Sequence, residues 1–502
     1  VIRYKAYADE LTQRIHAGHL KPGDRLPSIR AVKRQRGVSA STVFSAYYLL
    51  ETQGYVEARN RSGYYVSGNV PVPGEADRHI PVAQAHAMPW DFSTLVFQML
   101  TQARQRDMVP MGSAFPSPAL FPLDQLAMSM GRALRRMDPW QTVEDFSPGD
   151  PALRRQIALR YGRLGMAVAP AELVVTSGAM EALNLALEVT TQPGDVVAIE
   201  TPAFYGALQA LERRGLRAVE VKTHPHTGVD LESLRRVLDA HDVKACWFMP
   251  TFQNPMGCTM PDEAKAALVR MLTARQIPLI EDDVYGELHH GPRRPPPAKA
   301  WDRDGWVLHC GSFSKCLAPG YRIGWVAAGR FSARLARHKM MSSLATALPS
   351  QLAILDFLQE RSFERHLRAL RHALARQQAA AIRAIEQYFP TGTKVIRPPG
   401  GYFLWVELPA GMDALSIQLL AGQQGIGIAP GHLFSADHRY SHHLHLNHGH
   451  PGDLRSEASF RLLGEIVQRT RKRPGRSARP EATDMPASAS GQERSTIDSH
   501  PS

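Results

Sequence analysis

Val307-Leu308-His309-Cys310-Gly311-Ser312-Phe313-Ser314-Lys315 is an apolar run that ends in two hydroxyls and a lysine, with Arg322 seven residues beyond Lys315. The apolar part has the length of one buried strand, and a polar turn follows it. Two hydroxyls, a lysine and an arginine suit a phosphate plus a carbonyl. Taken singly, Lys315 reads more simply as a surface lysine.

Upstream the same pattern recurs. Leu173–Thr176, Val196–Glu200, Ala245–Pro250 and Pro278–Asp282 read as short buried strands, each followed by a turn and a helical pattern. That alternation predicts a mainly parallel sheet in an α/β fold. The turns carry the polar residues. Thr176-Ser177-Gly178-Ala179-Met180-Glu181 opens a helix, so its backbone N–H groups and a hydroxyl can face an anion. Phe204 could stack on a flat cofactor or pack on the core. Asn254, before Pro255, could donate to a ligand oxygen or merely start a turn. Glu281-Asp282-Asp283-Val284-Tyr285 places acids at a strand's C-terminal end, where α/β folds bind ligands. Its plainer reading is a solvated acidic turn.

The chain has 502 residues, 44% hydrophobic and 21% charged, which is ordinary for a globular protein. At roughly 150 residues per domain it has room for two to four domains. It contains no run of about 18 apolar residues, so no membrane span is expected. The first residues carry charge every few positions and lack the apolar core of a secretory leader. Cys246, Cys258, Cys310 and Cys316 form no CxxC pair, which argues against a disulfide scaffold or a zinc knuckle and for reduced thiols in the cytoplasm. The net charge is +12, and half of it lies in residues 1–68, with eleven Lys/Arg against five Asp/Glu. Such an excess suits a polyanionic partner.

That basic segment has its own order. Tyr7, Leu11 and Ile15 recur at helical spacing. Ser28 is placed to cap a second helix near Ile29–Gln35, closed by Gly37. Ser39 is placed to cap a third, with Val43, Ala46, Tyr47 and Leu50 on its inner face and Gly54 as its stop. Val56–Ala58 and Tyr64–Val66 then make a hairpin with the basic tip Arg59-Asn60-Arg61. Three helices and a basic hairpin predict a winged helix-turn-helix that sets its third helix in a DNA major groove. Ser41, Thr42 and Ser45 would project outward, while Arg30, Lys33, Arg34, Arg59 and Arg61 supply charge for phosphates. A small helical cap with a solvated basic surface is the other reading.

From Tyr4 to Val66 the segment closely resembles the DNA-binding domain of GntR-family regulators. The resemblance implies double-stranded DNA as partner, with Arg30 and residues 39–45 (Ser39, Ser41, Thr42 and Ser45 among them) at the contact. Ala40 and Phe44 stand where some members carry arginines.

From about Pro110 to Gly452 the ordered set of anion turn, Phe204, Asn254-Pro255, Asp282-x-x-Tyr285, Ser312-x-Ser314-Lys315 and Arg322 resembles fold-type I aminotransferases, which bind pyridoxal 5'-phosphate. By that resemblance Lys315 forms the internal aldimine, its amine activated by neighbouring cations. Asp282 pairs with the pyridine nitrogen. Asn254 and Tyr285 hydrogen-bond the phenolic oxygen, and Phe204 stacks on the ring. Ser177, Gly178, Ala179, Ser312, Ser314 and Arg322 hold the phosphate. Two positions depart. His445 stands where the family places an arginine that forks onto a substrate carboxylate, and Phe146 where many relatives have a tyrosine.

The whole chain resembles the MocR-type regulators, which implies a homodimer. The expected fold class is α/β. A winged helix-turn-helix at 1–68 and a linker at 69–89 precede a fold-type I aminotransferase-like domain at 90–470, with a smaller C-terminal α+β subdomain. A disordered tail is expected at 471–502. The expected function is a regulator in which pyridoxal phosphate, or its adduct with an amino compound, modulates DNA binding; the alternative is an active aminotransferase carrying a DNA-binding domain. The histidines between His432 and His450 invite a metal reading, but no acid or cysteine completes an evident site, so no metal is expected.

Overall fold

A computed structural model describes residues 3–66 apart from 17–18, 22, 53–54 and 60–62, then 96–97, and 108–471 apart from 145–147, 361, 436–438 and 452–453. The linker at 69–89, Gly54, Arg61, Phe146 and the tail from 472 lie outside the described residues, as do the side chains of Ser41 and Arg59. The chain divides into two compact units, Val1–Pro89 and Trp90–Ser502.

The first unit holds helices α1 (Arg3–His16), α2 (Ile29–Arg36) and α3 (Ala40–Thr52) and the antiparallel pair β1 (Val56–Arg59) and β2 (Gly63–Val66). Its core joins Tyr7, Leu11 and Ile15 of α1 to Val32 of α2, Val43, Ala46, Tyr47 and Leu50 of α3, and Val56 and Val66 of the hairpin. The Ser28 hydroxyl accepts from the Ala31 N–H, and Gly37 closes α2 in the left-handed region at φ 63°. The Ser39 hydroxyl accepts from the Thr42 N–H and meets the Thr42 hydroxyl at 2.7 Å. Arg36 forks onto Glu10 and lies over the Tyr7 ring, so it braces α1 against α2.

The second unit is built on an eight-stranded sheet. A short strand β3 (Val109–Pro110) precedes it. The sheet strands are β4 (Leu173–Thr176), β5 (Val196–Thr201), β6 (Arg217–His224), β7 (Gly228–Val229), β8 (Val243–Phe248), β9 (Leu279–Asp282), β10 (Val307–Ser312) and β11 (Gly324–Ala327), in the spatial order β4-β11-β10-β9-β8-β5-β6-β7. Neighbours from β10 to β6 run parallel, while β11 runs antiparallel to both β10 and β4. Two reversals leave β4 parallel to β10. The C-terminal ends of β4, β5, β8, β9 and β10 therefore all open toward one edge of the sheet.

The five strands read from sequence are all present, and β6 and β11 are added. Both resist a hydrophobic reading. Only Val221 and Thr223 of β6 are buried, between charged residues, and β11 is four residues long and starts at a glycine.

A four-stranded antiparallel sheet forms the smaller subdomain, from β12 (Lys394–Val395), β13 (Phe403–Glu407), β15 (Ala429–Pro430) and β16 (His443–Asn447) in the order β12-β13-β16-β15. The strand between, β14 (Ile426–Gly427), instead pairs with β3, which ties residues 109–110 to this subdomain. Helices Ser362–Tyr388, Ala414–Gln423 and Leu454–Arg471 cover it. Strand alternation sends Leu404, Val406, Leu444 and Leu446 into its core. Phe403, Trp405, His443, His445 and Asn447 fall on the opposite face.

Behind β9 lies a buried polar chain. Arg294 donates to Asp283 at 2.6 Å and to Glu287 at 3.0 Å. Glu287 also accepts from Arg160 and Arg371. His309 Nε2 meets Asp283 at 3.0 Å, its Nδ1 meets the Tyr161 hydroxyl, and Trp325 Nε1 donates to Tyr161. Burial opposes ionisation of both acids, but Arg294 and its neighbours hold each below its ordinary range, Glu287 at about 2. Arg294→Met leaves Asp283 without its closest cation and Glu287 without one of three. The substitution is expected to destabilise the large domain by about 3–5 kcal/mol, read as a lower urea midpoint with unchanged slope. An unchanged midpoint would mean that the remaining arginines compensate fully.

Candidate functional site

The loops at the C-terminal ends of the strands enclose a cavity. Ala179, Phe204, Asn254, Asp282, Tyr285, Ser312, Ser314, Lys315, Arg322 and His445 all line it. Ser177 and Gly178 do not line it; they lie behind Arg322, whose guanidinium faces the Ser177 carbonyl at 3.4 Å.

The anion turn differs from expectation. The Ser177 N–H donates to the Glu181 carboxylate and the Gly178 N–H to the Thr176 carbonyl. Glu181 is itself gripped by Lys339 at 3.0 Å to both oxygens. Two backbone donors read as anion ligands are thus committed within the turn, and the cation at this end is Arg322. Gly178 remains necessary for a steric reason. It sits at φ +85°, and a Cβ there would lie 2.3 Å from Arg322 Nη2. The guanidinium also reaches the Ser314 hydroxyl at 3.3 Å.

The acidic cluster is no solvated turn, since all three acids are buried. Each has a separate environment. Glu281 accepts from the Ala298 and Lys299 N–H groups, Asp283 joins the Arg294–His309 chain, and Asp282 faces the cavity with Oδ1 unpartnered among the described residues. Burial and the nearby Asp283 charge push Asp282 up to about 7, against the pull of Lys315 and Trp247. Burial lowers Lys315 to about 7; Asp282 opposes that shift and Arg322 adds to it.

The Lys315 amine donates to the Ala114 carbonyl at 2.8 Å and lies 3.8 Å from the centre of the Phe115 ring. Sequence reasoning missed what holds that loop. The Tyr402 hydroxyl also donates to Ala114, and the Asn447 amide donates to the Ser113 and Phe115 carbonyls. These contacts join positions some 290 to 330 residues apart, and no local spacing announces them. Gln253 was passed over beside Asn254. Its amide donates to the Pro202 carbonyl and its oxygen accepts from Met256, linking the loop of Phe204 to that of Asn254. Gly206 leaves room for the Phe204 ring, which a Cβ would meet at 2.6 Å. Burial raises the Tyr285 hydroxyl, which faces Asn254 and Tyr402.

Cavity and donor set fit pyridoxal phosphate. A buried carboxylate with one oxygen left over suits a pyridinium nitrogen, an arginine with hydroxyls suits a phosphate, and a lysine with a depressed pKa suits an aldehyde carbon. Among the described residues no group of three or more His, Cys, Asp or Glu side chains is placed to hold a metal ion.

On the first unit, Arg30 is exposed at the start of α2. Ser39, Ala40 and Phe44 are exposed and Thr42 and Ser45 half-buried around α3. The Ser39 hydroxyl spends one contact as a helix cap, and Phe44 is 52% exposed.

Fold and cavity define a winged-helix DNA-binding unit joined to an aminotransferase-like domain of fold type I. A family model described as "Bacterial regulatory proteins, gntR family" matches residues 3–66, and one described as "Aminotransferase class I and II" matches residues 134–455. The uncharacterized HTH-type transcriptional regulator YdcR of Escherichia coli K12 is 45% identical over 93% of this chain and 99% of its own, and YjiR of the same organism is 34% identical over 93% and 99%. The α-aminoadipate aminotransferase LysN of Thermus thermophilus, solved with N-(5'-phosphopyridoxyl)-L-leucine, superposes with a TM-score of 0.68 at 28% identity, over 75% of this chain and 95% of its own. The chain belongs to the HTH-type transcriptional regulators of MocR-like architecture, in which a GntR domain is fused to a class I and II aminotransferase domain. Its fold relatives imply pyridoxal 5'-phosphate as the cofactor.

The depressed Lys315 pKa has a direct consequence. Only the free amine acylates, so modification of Lys315 by an amine-reactive reagent is expected to rise as pH passes through about 7 and then level off. Ordinary lysines keep rising toward about pH 10.4. Peptide mass spectrometry across a pH series reads this, and a Lys315 rate that follows the exposed lysines would refute the depression.

Proposed function

We propose that pyridoxal phosphate, alone or joined to an amino compound, occupies the cavity around Lys315 and sets the DNA affinity of the winged helix. The observation that carries this reading is the meeting of Lys315, Arg322 and the Asp282 carboxylate, whose Oδ1 has no partner among the described residues, on one cavity. When bound, the cofactor supplies an aldehyde that amines can join and a ring that withdraws electrons. The chain's own residues do the rest. Lys315 presents a free amine near neutral pH. Asp282 holds positive charge on the ring nitrogen, and Asn254 and Tyr285 orient the ring's hydroxyl. Phe204 covers a ring face. Arg322, Ser312 and Ser314, with Ala179 at the start of the helix, fix the phosphate.

On DNA, α3 enters the major groove with Ser41, Thr42 and Ser45, and Arg30, Arg59 and Arg61 meet phosphates. Regulation requires a ligand that prefers one of two states, since equal affinity for both shifts nothing. We further infer a homodimer. Leu123, Met128, Trp140 and Val143 are each more than half exposed within one short stretch, which suits burial against a second copy. No helix among the described residues is long and apolar enough to cross a membrane; the DNA-binding role supports a cytoplasmic location. The second reading, a working aminotransferase, is favoured by the same arrangement of Lys315, Asp282, Asn254 and Tyr285 on one cavity.

Adding pyridoxal phosphate to the purified protein is expected to give a visible absorbance band that Lys315→Ala abolishes. Absence of the band in the unsubstituted protein would remove the cofactor from the reading. If an amine converts the cofactor to its amine form and a keto acid restores it, the enzyme reading replaces the sensor. On DNA, Arg30→Ala is expected to weaken binding similarly across sequences and to reduce the salt slope by about one. An unchanged slope would take Arg30 out of the interface.

A further inference from the structure

The cavity has two chemically different ends. Arg322 and Ser314 mark one. At the other, β16 presents His445, and among the described lining residues the only cations are Lys315 and Arg322. Three polar side chains of β16 share the face away from the subdomain core. His443 stacks on Trp405 at 4.8 Å, and Asn447 ties down the loop over Lys315. His445 has no such task. It is 3% exposed, and neither ring nitrogen has a partner among the described residues.

Aromatic rings surround it. Phe403 lies 4.2 Å and Phe434 4.9 Å from its ring centre, and Trp405 and Ala429 flank it across the sheet. A buried imidazole with both nitrogens idle is costly, so its polarity calls for a ligand. Burial holds it neutral, well below its ordinary range at about 3. A neutral imidazole offers one N–H donor and one nitrogen acceptor. Those match an amide or a hydroxyl, and the rings match an aryl or alkyl group. A carboxylate here would be desolvated among the rings of Phe403, Phe434 and Trp405, with an uncharged imidazole in place of a guanidinium.

We propose that the end of the cavity at His445 is a subsite for the uncharged substituent of a primary amine, so that the effector is an amine, amino alcohol or amino-acid amide with no carboxylate beside its amino group. This rests on the reading that cofactor and effector share the Lys315 cavity.

The test uses matched sets on the full chain loaded with pyridoxal phosphate and freed of excess: phenethylamine, L-phenylalaninamide and L-phenylalanine, then isoamylamine, L-leucinamide and L-leucine. The visible band and calorimetry are followed together. Within each set the amine and the amide are expected to bind at least about tenfold more tightly than the acid. His445→Arg is expected to reverse that order, because a guanidinium forks onto the carboxylate. An acid that binds the unsubstituted protein as tightly as its amine in both sets overturns the proposal, and so does a loaded protein whose band no amine or amide perturbs. If pyridoxal phosphate gives no band at all, the cofactor reading fails separately, and the calorimetric ranking of amine against acid still decides the subsite.

Discussion

The site depends on how Asp283 is held. Its carboxylate lies in the protein interior between Arg294 and His309; Tyr161 anchors His309, and Trp325 donates to Tyr161. A charge buried so deeply persists only where cations and donors surround it. Because Asp283 is committed behind the sheet, its neighbour Asp282 must face the other way, into the cavity. The strand's alternation and the buried ion pair thus aim the carboxylate together. Trp325, on the antiparallel strand β11, links the same chain to the strand that precedes the anion turn, so that turn and Asp282 share one rigid support.

The cavity combines groups that shift one another. Lys315 is pushed toward its neutral form by burial and by Arg322, while Asp282 is pushed toward its protonated form by burial and Asp283. Each is the other's principal opposing influence. A ligand that brings a cationic nitrogen to Asp282 and an anion to Arg322 relieves both, and pyridoxal phosphate carries both charges. The far end is different in kind: His445 among aromatic rings offers hydrogen bonding without charge. A regulator needs a ligand that tells two states apart more than it needs turnover, and a missing guanidinium costs an enzyme more than it costs a sensor.

Much of the fold was legible because burial leaves periodic traces. The inner face of α3 and the five buried strands follow from hydrophobic spacing, and Ser28 and Gly37 mark the ends of α2 by their capping chemistry. Strands β6 and β11 were not legible, one because charged residues interrupt its two buried positions, the other because it is short and begins at a glycine just after the turn at Arg322. Among site residues, Asp282 and Asn254 stood out by position after strands, yet their plainer readings held until the whole ordered set was weighed together. Tyr402, Asn447 and Gln253 carried no local signal, since each acts on a loop formed elsewhere in the chain. The commitment of the Ser177 and Gly178 N–H groups within their own turn was equally hidden, because Glu181 reads as an ordinary first-turn acid.

The sequence by itself determined the two units, the winged-helix order, the strand grammar of the large domain and the identities of the lysine, acid and arginine that converge there. It also displayed the histidine where an arginine is usual. Only the tertiary structure decided which of three consecutive acids faces the cavity, which donors remain for an anion, and that His445 is caged by Phe403 and Phe434 with its nitrogens idle among the described residues. The physical reason is distance along the chain. Hydrophobic period and capping act within a few residues, whereas the partners that fix a buried charge or cage a ring come from strands and loops far apart in sequence, and their meeting is set by the packing of the sheet.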